Sequence, residues 1–421
     1  MPEPVHVDGL GGVDPTRVPL PHGTQVTTAV ERGLDDGGHI RAGAVGTVVA
    51  LLPGDRLRVR VVGRGEHEFE RAEVRPVSRG QVRFAVARAR DEAALSPCVV
   101  LTATVGSRAW GLADEGSDHD TRGVFVLPFG WREGLTPAPE VVVSADGSHT
   151  RWEVERTVRQ ALRADPNTLE MLFVPTIAAT DPMGEWIIAA RSAFVSQAIY
   201  GAFGRYALAQ AKRLRQSLRL AEHRTLVLEW LRADPGASLD AVALRLAEAT
   251  GDGAESPHHK RARQYLKQLY RSLYDQGLLA ENSFAGLASM ARAEAPQLSL
   301  PRELRPKNAY NLLRIVDLAV HWLATGEPRF VATGQLAQRL RAIKSGDVPL
   351  STALDWTEQR AAQLDEARLS SPLPSEPDLA AADAVLQAVR AEVARRFVGR
   401  GPGPFGRDAP PPPPPRQQQQ P

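Results

Sequence analysis

Asp118 and Asp120 stand two residues apart in Ser117-Asp118-His119-Asp120, at the entrance to an apolar run, Val124 to Leu127. In an extended strand that spacing sets both carboxylates on one face. Two hard oxygen ligands side by side suit a divalent cation that bridges nucleotide phosphates. About ten residues upstream, Gly106-Ser107 closes another apolar run, Cys98 to Thr104. A glycine there lets the backbone approach a ligand closely, and free amides of the turn can face a phosphate. A lone Asp-x-Asp is most often a solvated turn, and a lone Gly-Ser says less still. In the order strand, Gly-Ser, spacer, Asp-x-Asp, strand, they predict a phosphate cradle joined to a metal-binding pair.

Such a pair needs a scaffold. From Gly23 to about Val77, short alternating or β-branched runs (Thr24 to Thr28, Gly46 to Leu52, Leu57 to Val62, Glu66 to Glu70) are separated by Gly43, Pro53-Gly54-Asp55 and Gly63-Arg64-Gly65. They predict a small antiparallel β-barrel over residues 23–78, similar in pattern to SH3-like barrels, with a structural or docking role. Arg56, Arg58 and Arg60 alternate along one face, as on a solvated edge strand. Residues 1–22, rich in Pro, Gly and Asp, predict a flexible leader. Gln81 to Ala94 links this part to a core over 95–192. There the DxD strand is followed by a Pro-containing loop, Trp131 to Pro139, and then Val141 to Val143. A helix from Trp152 to Leu162, a break at Asp165-Pro166-Asn167 and the run Leu169 to Val174 complete the core.

The block GSRAWGLADEGSDHDTRGVFV resembles the signature of the DNA polymerase beta-like nucleotidyltransferase superfamily, and more narrowly that of the RlaP (YcgL-like) predicted nucleotidyltransferases. EVERTVRQALRADPNTLEMLFVP lengthens the likeness. The resemblance implies an α+β multidomain chain in which a polymerase beta-like α/β palm follows the barrel and precedes a C-terminal helical domain. It implies an NTP substrate, Mg²⁺ (or Mn²⁺) on Asp118 and Asp120, and transfer of an NMP to a hydroxyl acceptor, an RNA end such as that of tRNA. Gly106 and Ser107 would grip the phosphates, with Arg108 and Ser117 beside them. Arg122 would contact phosphate or brace the loop through an Asp. These enzymes usually carry a third carboxylate near the start of the helix that opens at Glu153, where this chain has Ser148-His149-Thr150. Three readings stand: Asp146 reaches in, Glu153 substitutes, or the site is degenerate. The rival function is a non-catalytic scaffold that binds nucleic acid or a protein partner. A protein hydroxyl as acceptor, as in toxin-neutralising nucleotidyltransferases, is a further alternative.

The helical domain is expected over 193–222 and 290–398. Ala198 to Leu220 carries Arg205, Lys212, Arg213, Arg215 and Arg219, a row that reads as a solvated face or as a nucleic-acid contact. Leu304 to Phe330 resembles the family's C-terminal helix and sets Lys307, Asn311 and Arg314 at i, i+4 and i+7. Lys307 and Arg314 would then meet triphosphate or acceptor phosphates, or form a plain surface row. Residues 223–289 interrupt the family pattern with three helices and a short apolar strand, the order of a winged-helix insert. Its third helix would present His258, His259, Lys260, Arg261, Arg263 and Lys267 to nucleic acid, above a buried stripe of Leu266, Leu269, Tyr270 and Leu273. A protein partner for this insert, or for the barrel, is an equal reading. Residues 399–421, with Pro410 to Pro415 and Gln417 to Gln420, predict a disordered tail.

Composition narrows the classes. The chain has 421 residues, 43% hydrophobic and 24% charged, enough for two or three domains. A net charge of +2 puts any nucleic-acid contact on local patches. One cysteine, Cys98, excludes an internal disulfide framework and a Cys-based zinc site. With no membrane-length apolar run and no signal-like leader, the expected location is the cytoplasm, without a membrane partner.

Overall fold

The computed structural model describes residues 18–34, 39–62, 64–133, 137–249, 256–275, 279, 281–292 and 304–412. The chain divides into two compact units, one made of 1–207, 314–341 and 359–421, the other of 208–313 and 342–358.

The first unit begins with a five-stranded antiparallel sheet. Its strands are β1 Gln25–Thr28, β4 Val45–Leu52, β5 Arg56–Val61, β6 Gly65–Glu70 and β7 Val74–Pro76, in the order β6-β5-β4-β1-β7, with a separate ribbon of β2 Arg32–Gly33 and β3 His39–Ile40. Alternation buries Val26, Val48, Leu57, Val59, Val61, Phe69 and Val74 in one cluster with Ile40. Among the described residues no closed barrel is found: nothing pairs β6 with β7, so the sheet is open. The arginine row also differs from expectation, because β5 is interior. Arg56 and Arg58 pair across the sheet with Glu68, and Arg60 pairs with Glu66, forming a cross-strand ladder rather than a bare edge. Of the expected leader, 1–17 lies outside the described residues, while Val18 and Leu20 are buried.

Helix α1 (Arg79–Leu95), capped by Ser78, connects this sheet to a second one. Its Arg88 donates to the carbonyls of His22, Val143 (3.1 Å) and Ser144 (2.6 Å), so one guanidinium fastens the chain before β1 to the edge of the second sheet. That sheet contains β8 Val99–Thr104, β9 Thr121–Phe125, β10 Val141–Val143, β11 His149–Glu153 and β12 Ala178–Ala179, in the order β10-β11-β9-β8-β12. β9 and β11 run parallel and the other neighbours antiparallel. β8 is buried at Val100, Leu101 and Ala103. Gly123 is required in β9, because a Cβ there would stand 2.7 Å from the Leu101 carbonyl oxygen. Cys98 is buried just before β8, and burial pushes its thiol up to about 12.

Helix α2 (Val154–Leu162) packs on this sheet, and α3 (Pro166–Phe173) follows at once. The Asp165-Pro166-Asn167 segment, expected as a break, is a helix start. Ala164 takes φ 54°, the Asp165 side chain accepts the Thr168 amide, and Pro166 fills the first turn. After α4 (Pro182–Ala189), a π-helical turn over Tyr200–Arg205 leads into α5 (Tyr206–Ala233).

The second unit is helical, with α6 Leu239–Ala249, α7 Ser256–Asp275, α8 Phe284–Arg292 and parts of α5, α9 Pro306–Thr325, α10 Gly334–Ser345 and α11 Leu350–Ala361. Leu266, Leu269 and Leu273 of α7 are buried against Val227, Leu231, Leu246 and Leu287, as the stripe predicts, with Tyr270 partly buried beside them. No β-ribbon follows α7 among the described residues. Phe284–Arg292 is a fourth helix packed on the same core, whereas 276–278 and 280 lie outside the described residues. This part is therefore described as a four-helix cluster. Arg263 pairs with Asp240 at 3.2 Å, and the His259 ring meets the Asp240 carbonyl. Arg215 pairs with Asp355 and Glu358, while Lys212, Arg213 and Arg219 stay exposed.

The chain closes in the first unit with α12 (Leu364–Leu369) and α13 (Leu379–Val398). The expected disorder after residue 399 does not extend through the described residues to 412. Phe405 is buried, Arg396 stacks over its ring, and the Trp131 indole donates to the Pro410 carbonyl at 2.9 Å. Residues 413–421 lie outside the described residues. Among the described residues no helix is long and apolar enough to cross a membrane.

Candidate active site

At the end of β8 the chain turns at Gly106, whose φ of +69° only glycine adopts without strain. The turn is closed by bonds from the Trp110 amide to the Gly106 carbonyl (3.3 Å) and from the Leu112 amide to the Ser107 carbonyl (2.8 Å). The amides of Ser107, Arg108 and Ala109 have no acceptor among the described residues. Asp118 and Asp120 lie just before β9 rather than within it, and the Val105 amide donates to the Asp120 carbonyl at 3.0 Å. This bond carries the β8–β9 ladder past Thr121, so the Asp-x-Asp segment lies beside the Gly-Ser turn. A Cβ on Gly106 would be 3.8 Å from the Asp120 carboxylate. Glycine thus serves two ends here, the backbone turn and the close approach of an acid.

The flanking polar residues are committed to the loop. Arg108 donates to the carbonyls of Ser117 (3.0 Å) and Asp118 (3.3 Å), clamping the Asp-x-Asp segment. The Ser117 hydroxyl donates to Asp114 at 2.7 Å and accepts the Asp114 amide, so it closes a turn.

Beneath the turn lies a residue that sequence reasoning missed. Glu170 of α3 is 5% exposed and accepts from the Trp110 indole at 2.9 Å and from the Gly106 amide. Arg122 donates to it at 3.0 Å and also holds the Asn167 carbonyl. Arg314 reaches it at 3.6 Å, with its guanidinium over the Trp110 ring. Burial opposes ionisation of Glu170. Arg314, then Arg122, then the Trp110 and Gly106 N–H groups outweigh burial and hold its carboxyl below the usual range. Arg122 therefore braces the loop, through a glutamate rather than an aspartate, and Arg314 is drawn to the same carboxylate. The signal for Glu170 was a lone acid among buried Leu169, Met171 and Leu172, which only a partnered charge can occupy. Lys307 is exposed and belongs to the second unit.

Neither candidate for a third carboxylate stands with the pair. The parallel register sets Thr121 against His149, and the Thr121 amide donates to the Ser148 carbonyl at 2.9 Å, so Asp120 is level with Ser148. Asp146 lies in the turn between β10 and β11. Its oxygens accept from the Ser144 hydroxyl and from the Ser148 amide (3.0 Å) and hydroxyl (2.8 Å). Burial opposes its charge, but these donors prevail and bring its pKa to about 2. Glu153 stands opposite Phe125, four residues farther along β11, about 13 Å by strand rise. There it caps α2, accepting from the amides of Glu155 (2.7 Å) and Arg156 (3.3 Å). Among the described residues no group of three or more His, Cys, Asp and Glu side chains converges on a metal-sized site.

The Gly-Ser turn follows β8 and the aspartate pair precedes β9, its antiparallel neighbour, so both lie at one end of the second sheet. Residues 79–228 match the model of the RlaP family, described as the RNA repair pathway DNA polymerase beta family, so this part of the chain is similar to that family. No curated protein and no solved structure matches the chain.

Proposed function

We propose that this chain is a metal-dependent nucleotidyltransferase that moves an NMP from an NTP to a hydroxyl acceptor, an RNA end, in the cytoplasm. The observation that carries the reading is the apposition of the Gly106 turn and Asp120 within the segment that matches the family. Asp118 and Asp120 supply the hard, adjacent oxygen donors that Mg²⁺ or Mn²⁺ requires, so the residues fit the ion. Bound there, the ion would neutralise phosphate charge and lower the pKa of the acceptor hydroxyl. The Ser107, Arg108 and Ala109 amides would hold the triphosphate by successive N–H donors. Arg108 would keep the aspartate loop against the turn. Arg314 would act on the site through Glu170. The N-terminal sheet and the helical cluster of the second unit would dock nucleic acid or a protein partner.

The test is label transfer from each α-labelled NTP, with Mg²⁺ or Mn²⁺, to tRNA and other RNA ends or to cellular protein. Transfer to RNA that needs the metal and is abolished by Asp118→Ala with Asp120→Ala is expected. Transfer that survives the double substitution would overturn the assignment of the site. Transfer to protein alone would move the acceptor from RNA to a protein hydroxyl. One observation favours a second reading, a scaffold that binds without catalysis: Asp146 and Glu153 are both engaged elsewhere. It predicts salt-sensitive RNA retention that neither EDTA nor the double substitution changes.

A further inference from the structure

A cleft of about 650 Å³ lies between α2 and the loop that precedes β10. Leu127, past the end of β9, and Glu153, at the end of β11, line it, whereas Asp120 precedes β9. The cleft and the aspartate pair are thus at opposite ends of the same two strands.

The lining carries one more guanidinium than carboxylate, Arg132, Arg156, Arg159 and Arg163 against Glu140, Glu153 and Glu155. Arg156 pairs with Glu140 at 2.6 Å. The single carboxylate of Glu155 is shared by Arg132, Arg159 and Arg390. Arg163, exposed at the end of α2, has no acidic partner among the described residues. Guanidinium in excess of carboxylate favours an anion, and phosphate geometry matches the guanidinium fork.

The floor has a different character. The Glu153 side chain is 6% exposed and spends one oxygen on the α2 cap. Its other oxygen, Oε1, is buried and makes no hydrogen bond among the described residues, with Arg132 3.9 Å away. The Nε–H of Arg156 is likewise buried without an acceptor. An unmade buried hydrogen bond is costly, so acceptor and donor together call for a ligand edge of opposite pattern. A nucleobase edge, with an amine or ring N–H beside a carbonyl or ring nitrogen, has that pattern. At the rise of a helix, Glu153 is about 9 Å from the level of Arg159 and about 15 Å from that of Arg163. Inorganic phosphate or a sugar phosphate cannot reach both ends, and an extended nucleotide can.

We propose that this cleft is a second nucleotide site, with the base edge on Glu153 and Arg156 and the phosphate on Arg159 and Arg163. It needs no divalent ion, since guanidinium groups supply the positive charge. The ligand's source is a free nucleotide or the phosphorylated end of an RNA strand.

The full chain bearing Asp118→Ala and Asp120→Ala is titrated calorimetrically in EDTA with each NMP and NTP, inorganic phosphate, and short RNAs bearing a 5′-phosphate or a 5′-hydroxyl. Saturable binding of a nucleotide, or of the 5′-phosphorylated RNA over its 5′-hydroxyl twin, is expected. Arg159→Ala with Arg163→Ala should weaken it at least about tenfold, the worth of one charge-assisted contact. Both arginines are exposed, so the fold should survive. Glu153→Gln keeps a cap acceptor and should change which base binds best. Absence of metal-free binding, indifference to the arginine pair, or equal affinity for inorganic phosphate would each overturn the proposal. Because the aspartate pair is absent throughout, the result is independent of whether label transfer occurs.

Discussion

Replacing Glu170 with glutamine tests whether one buried charge holds the Gly106 turn together. The variant keeps an acceptor for the Trp110 indole but removes the charge that faces both Arg122 and Arg314. Breaking a buried ion pair from one side costs about 3–5 kcal/mol, because a charge is left without its counterion. Arg314 is 12% exposed, but Arg122 is 23% exposed and keeps the Asn167 carbonyl, so the lower end, about 3 kcal/mol, is expected. For a unit of this size that lowers the unfolding midpoint by about 5 °C near neutral pH. The pH dependence gives a second readout. The folded carboxyl lies below its ordinary range, so its stabilisation is complete above the unfolded pKa of about 4.5 and is lost as pH falls through the folded value. The gap between the wild type and the variant should therefore be constant from pH 7 to about pH 5 and shrink below that. The assay is thermal denaturation followed by near-ultraviolet circular dichroism, where the stacked Trp110 reports on the site. A loss under about 1 kcal/mol at pH 7, or a gap that persists unchanged to pH 3, would refute the reasoning. NMP transfer, where the enzyme reading holds, should fall further in Glu170→Ala, which also frees the Gly106 amide.

Arg88→Ala should destabilise the first unit by about 2–4 kcal/mol, since three carbonyls lose their donor at once, and proteolysis between the N-terminal sheet and the second sheet should quicken. Asp146→Asn should weaken the turn ahead of β11 at neutral pH. With a folded pKa of about 2, the wild type should lose that advantage as pH drops from about 4 through 2, as an acid titration of the two proteins would reveal. Glu153→Ala should cost about 1 kcal/mol through loss of the α2 cap, offset in part because a buried acceptor disappears with it. If Glu153 instead served chemistry at the aspartate pair, label transfer would collapse while the melting point barely moved.

What the sequence made legible was local. The Gly106 turn and Asp120 lie within one strand-turn-strand, and backbone conformation brings these two together. Alternation likewise marked the strands of the N-terminal sheet. Closure was not legible, because it depends on whether β6 finds β7, and no residue type in either strand encodes that choice. The row Arg56, Arg58, Arg60 looked like an edge for the same reason: its partners, Glu66 and Glu68, were visible, but the strand order that made β5 interior was not. The proline-rich end misled differently. Composition argued against a core, yet Phe405 needs only a shallow seat beside Arg396, and Pro410 only one indole N–H.

The acids show where sequence distance stops being informative. Asp146 and Glu153 flank the expected third position by a few residues, and their distance from the pair in sequence made them equal rivals. In the fold they differ in kind. Asp146 is turned inward by three hydroxyl and amide donors in its own turn, while the last position of β11 gives Glu153 to the first amides of α2. A helix start beside a strand end takes up a carboxylate whenever one is available, because the unpaired amides there have no other acceptor. Glu170, some fifty residues from the aspartates, is instead the acid that reaches the Gly-Ser turn, and it does so from below as a counterion to Arg122 and Arg314 rather than from the side as a base. Which acid braces the Gly-Ser turn is thus set by which helix packs beneath it, and that packing follows from α3 starting at Pro166, where the sequence alone read a break.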